Sequence, residues 1–92
     1  MKIKVIFHGI LADWVGIAES EMHLPDEATL ADLLYEIRKD YGSKMPALFQ
    51  EKDQKAFNQA FWAVRGSEQL NEYEIKLKDG DEIRFFLPLA GG

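Results

Sequence analysis

A chain of 92 residues has room for one domain, and a domain of that length buries only a little over ~60% of the surface its unfolded chain exposes, so the core is modest and little room is left for a deep catalytic cleft. Apolar residues make up 47% and charged residues 29%, the balance of a folded soluble domain, while a net charge of -5 argues against nucleic acid or anionic lipid as partner and suits a partner with a basic groove. The absence of cysteine excludes disulfides, thiolate metal sites and a cysteine nucleophile.

The opening run Met1 to Phe7 is too short for a signal peptide and is interrupted by Lys2 and Lys4. No later stretch is long and apolar enough to span a bilayer, so the expected location is the cytoplasm. Lys2 to His8 alternates: Ile3, Val5 and Phe7 fall on one face, and Lys2, Lys4, Ile6 and His8 on the other, which predicts a strand with one face in a core. Gly9 to Gly16 reads as a turn, and Glu19 to Leu24 as a second strand stopped by Pro25, which together form a hairpin.

A helix is predicted from Leu30 to Tyr41. Thr29 is its N-cap, and Asp32 three residues later completes a capping box with Asp in place of Glu. Leu30, Leu33, Leu34, Ile37 and Tyr41 make one apolar stripe, and Gly42 stands where a left-handed C-cap belongs. Between Ser43 and Asn58 the signals are weak: a short helical turn at Met45 to Phe49, then an exposed loop at Glu51 to Lys55. Ala60 to Val64 is apolar and aromatic and predicts a buried strand ended by Arg65-Gly66; a short strand or turn is expected around Tyr73 to Ile75. Lys78-Asp79-Gly80-Asp81 is a tight turn that feeds a last strand, Glu82 to Leu87, broken by Pro88. The tail, about residues 88–92, is expected to be flexible. One long helix covers one sheet face, which makes a two-layer α+β domain spanning 1–92.

Alternation puts Ile83, Phe85 and Leu87 on one face of the last strand and Arg84 and Phe86 on the other. With only one face covered by helix, Phe86 is the expected docking residue, joined by Leu87 and Leu89 if the strand stops before them. His8 and His23 lack ligand-like companions and read as sheet positions; Trp14 and Trp62 read as packing residues. Asp79, Asp81 and Glu82 read as turn chemistry in preference to a metal site, so neither metal nor cofactor is expected on this chain. No glycine-rich phosphate loop is present, so any ATP is used by a partner.

The run from Leu77 to Gly92, a Gly-Asp-Glu turn, an aromatic strand, a proline and then Gly91-Gly92, resembles the end of the molybdopterin synthase small subunit and the ubiquitin-like sulfur carriers. Ile3-Lys4-Val5, Phe7, Leu11, Gly16, the Thr29-Leu30-x-Asp32-Leu33-Leu34 helix opening and the Tyr41-Gly42 close carry the resemblance along most of the chain. The chain departs from that family at Leu87, where a proline is frequent, at His8, where an aromatic is common, and at Arg65, where an asparagine is frequent.

The resemblance implies a ubiquitin-like β-grasp: a mixed sheet of four to five strands, with the first and last strands parallel at its centre and one main helix on one face. It implies a sulfur carrier for molybdenum- or tungsten-cofactor synthesis, not catalytic alone but the sulfur-donating small subunit of a molybdopterin synthase-type complex. The carboxylate of Gly92 is then the reacting group, converted to an acyl-adenylate and next to a thiocarboxylate. Phe86, Leu87, Pro88, Leu89, Ala90 and Gly91 contact the partners: a ubiquitin-activating-type adenylyltransferase, a sulfur donor protein and a synthase large subunit. Glycines suit a narrow tunnel because they lack Cβ and adopt backbone angles others avoid. Four residues beyond Pro88 reach on the order of 14 Å. Two other readings share the tail: a ubiquitin-like protein modifier, or a sulfur carrier for another pathway such as thiamine. A third is a plain β-grasp interaction module.

Overall fold

The computed structural model describes residues 1–88. The chain runs β1 (Lys2–Phe7), α1 (Ile10–Val15), β2 (Glu19–His23), α2 (Leu30–Tyr41), a 3-10 turn (Gly42–Lys44), α3 (Ala47–Gln50), α4 (Gln54–Gln59), β3 (Trp62–Arg65), β4 (Glu68–Leu70) and β5 (Glu82–Phe86). The five strands form one sheet in the order β2-β1-β5-β3-β4. β1 and β5 are parallel at its centre, as the resemblance implies, and the other pairings are antiparallel. No helix among the described residues is long and apolar enough to cross a membrane.

The alternation in β1 holds: Ile3, Val5 and Phe7 are buried, and so are Ile83 and Phe85 beside them in β5. The apolar stripe of α2 (Leu30, Leu33, Leu34 and Ile37) closes over that face, and all four side chains are buried. The capping box forms as read: Asp32 N donates to Thr29 Oγ1 at 3.3 Å, and Thr29 N donates to Asp32 Oδ2 at 2.9 Å.

Five local expectations are corrected. Gly9 to Gly16 is not a turn but encloses α1, whose Leu11 and Val15 are buried one turn apart. Two flanking glycines and only six helical residues hid that period. Gly42 is right-handed, at φ -59°, and the chain tightens directly into the 3-10 turn. A Cβ there would meet Arg38 Cγ at 3.2 Å, a tight contact that the arginine side chain would have to relieve by shifting. The exposed loop expected at Glu51 to Lys55 gives way at Asp53 to α4, which Asp53 caps by accepting from Ala56 N at 2.8 Å; Phe57 is its one large buried apolar side chain, too little for a visible stripe. The strand after α4 is shorter than read, and its Trp62 is 51% exposed.

The additional strand falls at Glu68–Leu70 and not at Tyr73 to Ile75. The carbonyls of Tyr73 and Ile75 are instead used at the N-terminus of α2, accepting from Ala31 N and Leu30 N at 3.0 Å each. The first-turn N–H groups of a helix have no partner within it, so this segment serves the helix end and not the sheet.

The turn before β5 forms as predicted, with Gly80 at φ +87°, where a side chain would be strained. It is bound to β1: Gly80 N donates to Lys2 O at 2.8 Å, and Lys2 N donates to Asp79 Oδ1 at 2.7 Å.

Candidate functional site

Because β1 and β5 run the same way, their C-terminal ends lie side by side, and the chain leaves the sheet at Phe86 from its central strand. On the face that α2 leaves uncovered, three aromatic rings cross that end of the sheet. The His8 imidazole stacks on the Phe86 ring with centroids 4.4 Å apart and planes 7° from parallel. Trp62 of β3 is the Cα partner of Phe86 on its other side. The next row holds Ile6, Arg84 and Val64, since Arg84 pairs with both neighbours.

One row further from the exit the face becomes ionic. Lys4 Nζ lies 3.0 Å from Glu19 and 3.9 Å from Glu82. The hydrogen bond and charge of Glu19, followed by the charge of Glu82, hold the Lys4 ammonium above the ordinary lysine range. The uncovered face is thus graded, aromatic at the exit and charge-paired away from it. That pattern suits an interface with an apolar anchor and a polar rim.

The structure places the sequence-derived residues as follows. Phe86 faces the open side, as its alternation requires, and is half-buried by the His8 stack. β5 ends at Phe86, but Leu87 does not join the open face outright: it is half-buried and packs against the core. Pro88 is also half-buried. Leu89, Ala90, Gly91 and Gly92, with the expected flexible tail, lie outside the described residues.

His8, Trp62 and Ile10 are the members of this face that sequence reasoning missed. Alternation places His8 on the open side, but its alignment with Phe86 follows only from the parallel β1–β5 register. Its backbone is held on both sides, with His8 N donating to Phe85 O at 3.1 Å and His8 O accepting from Leu11 N at 3.2 Å. Ile10, 48% exposed, begins α1 directly behind it. A recess of about 260 Å³ lies between them, lined by His8, Gly9, Ile10, Phe86 and Leu87.

The remaining candidates are occupied elsewhere. Trp14 packs on Phe49, with ring centroids 5.3 Å apart. His23 is exposed, 3.5 Å from Glu21. Asp81 Oδ2 accepts from Lys78 N at 2.9 Å and lies 3.1 Å from the Arg65 guanidinium, so the acidic turn is held by its own neighbours.

A mixed five-stranded sheet with parallel central strands, one long helix across one face and the chain leaving from the centre defines a ubiquitin-like β-grasp protein. The ThiS family model matches residues 5–92, and the chain belongs to the ThiS family. No curated protein sequence matches it. Among solved structures, the Pyrococcus furiosus protein described as molybdopterin converting factor subunit 1 is 26% identical, with a TM-score of 0.75 and 97% of this chain and 99% of that one covered. SAMP1 from Haloferax volcanii is 20% identical, with a TM-score of 0.80 over the whole of both chains. A complex of subunits 1 and 2 of the molybdopterin-converting factor from Helicobacter pylori is 24% identical, with a TM-score of 0.53 over the whole of both chains.

Proposed function

We propose that this chain is a sulfur carrier that loads sulfur on the carboxylate of Gly92 and delivers it for pterin-dithiolene cofactor synthesis. The observation that carries the reading is the exit of the central strand β5, at Phe86, beside an uncovered aromatic row two residues before Pro88. The family match extending to Gly92 supports it.

The carboxylate is a poor electrophile. In a partner's active site it attacks the α-phosphorus of ATP, pyrophosphate leaves, and the acyl-adenylate forms. Sulfide-level sulfur from a donor attacks the carbonyl carbon, and AMP leaves with the electron pair of the broken C–O bond. The resulting thiocarboxylate sulfur attacks a carbon of a precursor held by a second partner and displaces a leaving group there, and hydrolysis of the acyl–sulfur bond restores the carboxylate and leaves the sulfur on the precursor. The domain itself does no bond chemistry. It supplies a rigid body, an aromatic anchor next to the exit and a charge-paired rim that sets orientation. The partners proposed are a ubiquitin-activating-type adenylyltransferase, a sulfur donor and a synthase large subunit, the last consistent with the subunit 1–subunit 2 complex of the Helicobacter pylori relative.

Incubation with ATP, such an adenylyltransferase and sulfide is expected to raise the mass by the difference between one sulfur and one oxygen, at the C-terminal peptide only. Removal of Gly92, or extension beyond it, abolishes the gain while the folded spectrum persists. Isopeptide-linked ladders on other proteins, with no transfer of sulfur to a pterin precursor, would replace this reading by that of a protein modifier.

A further inference from the structure

The sheet face that α2 leaves open is apolar near the exit, yet it is electrically balanced. Its strand residues carry three cations, Lys2, Lys4 and Arg84, and three carboxylates, Glu19, Glu21 and Glu82. The chain as a whole stands at -5, counting histidine as neutral, so the entire net charge lies off this face. Two copies of the chain therefore repel each other least when their open faces meet. A partner selected by charge is matched by a face of one sign; a face with equal numbers of both signs is matched by itself. Arg84 adds a second argument. It is 49% exposed, and its one ionic contact among the described residues is Glu82 of the same strand, at 3.6 Å. It stands between Ile6 and Val64, one row behind Phe86 and Trp62. The cation–π contacts among the described residues are made by Arg38 and Lys52, so the Arg84 guanidinium lies on neither of the rings in the next row.

We propose that the open face is a self-association surface, on which a second copy of this chain packs as an isologous pair. A two-fold axis in the plane of the interface and perpendicular to the strands lays the aromatic row of one copy on the Ile6–Arg84–Val64 row of the other. Phe86 of each copy then lies on the Arg84 guanidinium of the other, and Trp62 on Val64. The symmetry makes each of these contacts twice. The face is small for a stable interface, so the pair is a weak one, with a Kd on the order of 100 μM. The exit of the chain at Phe86 is covered in the pair, which makes it a resting form that a docking protein displaces. That resting role rests on the sulfur-carrier reading; the association itself does not.

The test is sedimentation equilibrium of the full chain from about 10 μM to about 1 mM, concentrations that bracket that Kd. The average mass is expected to rise from that of one chain towards that of two. Raising the salt to about 0.5 M should strengthen the pair severalfold, because screening removes the repulsion between the two acidic bodies and leaves the stacked contacts in place. Trp62→Ala and Arg84→Gln, both at exposed positions, keep the folded spectrum and are each expected to weaken the association at least about fivefold. Arg84→Lys keeps the charge but loses the planar stack, and falls between Arg84→Gln and wild type. Amide signals that move with protein concentration should map to Ile6, Trp62, Val64, Arg84 and Phe86. A chain that stays monomeric at the highest concentration in both salts overturns the proposal. So does a dimer that none of the variants weakens, since its contact would lie elsewhere. Neither result bears on the loading of sulfur, which is read separately by mass.

Discussion

The guanidinium of Arg65, at the end of β3, lies 3.1 Å from Asp81 Oδ2, in the turn that starts β5. The same carboxylate oxygen accepts from Lys78 N at 2.9 Å, and Asp81 O accepts from Lys4 N of β1 at 2.9 Å. One residue thus closes the turn and ties together the three strands that carry the aromatic row. Both side chains of the pair are largely shielded, at 26% and 16% exposed, so the pair is worth more than an ordinary surface ion pair. Asp81→Ala is expected to cost about 2–3 kcal/mol, and Asp81→Asn about half of that because the turn acceptor survives. Urea unfolding followed by tryptophan fluorescence measures both; an Asp81→Asn variant as stable as wild type would show that the Arg65 charge contributes nothing.

Trp62 is half exposed and Phe86 is only half-buried, so neither is a main support of the core. Trp62→Ala is expected to cost less than about 1 kcal/mol of stability. The same change, and Phe86→Ala, should each weaken binding of the proposed adenylyltransferase by about tenfold or more, as loss of an aromatic anchor does. Calorimetric titration reads the affinity, and a binding constant unchanged in both variants would remove the open face from the interface.

The capping box at the start of α2 satisfies two backbone N–H groups reciprocally. Thr29→Ala removes the side-chain acceptor for Asp32 N and is expected to cost about 1 kcal/mol. Hydrogen exchange should quicken in the first turn of α2 before it does elsewhere. The Leu30 and Ala31 amides are the exception, because the carbonyls of Ile75 and Tyr73 still hold them.

Glu27 Oε2 lies 2.5 Å from Lys76 Nζ, and the hydrogen bond and charge of Lys76 hold the Glu27 carboxyl below the ordinary glutamate value of 4.5, while Glu27 holds the Lys76 ammonium above 10.5. A carboxyl with a depressed folded pKa stabilises the fold above its unfolded pKa, and that contribution is lost as pH falls through the folded pKa. The raised ammonium contributes below its unfolded pKa and loses that contribution as pH rises through the folded one. The melting-temperature difference between wild type and Glu27→Gln is therefore expected to be present at neutral pH and to vanish below the carboxylate range. Both groups are fully exposed, so the difference is small and 1 M salt should erase it. A difference that persists in acid or in high salt would assign it to something other than this pair.

Elements whose physics is local and repeated can be read directly from the residues: the period-two strand from Lys2 to Phe7, the capped helix Leu30–Tyr41, the Lys78–Asp81 turn and the alternation that turns Phe86 outward. It also carried the family resemblance in the tail. Short helices such as Ile10–Val15 and Gln54–Gln59 were not legible, because one or two buried side chains set no period. The role of Tyr73 to Ile75 was not legible either, because the helix end that takes its carbonyls lies some forty residues earlier. That His8, Phe86 and Trp62 form one row follows from strand pairing alone. Hydrogen-bond register between β1, β5 and β3 aligns residues nearly eighty positions apart, and nothing in the local chain encodes which residue of one strand faces which residue of another.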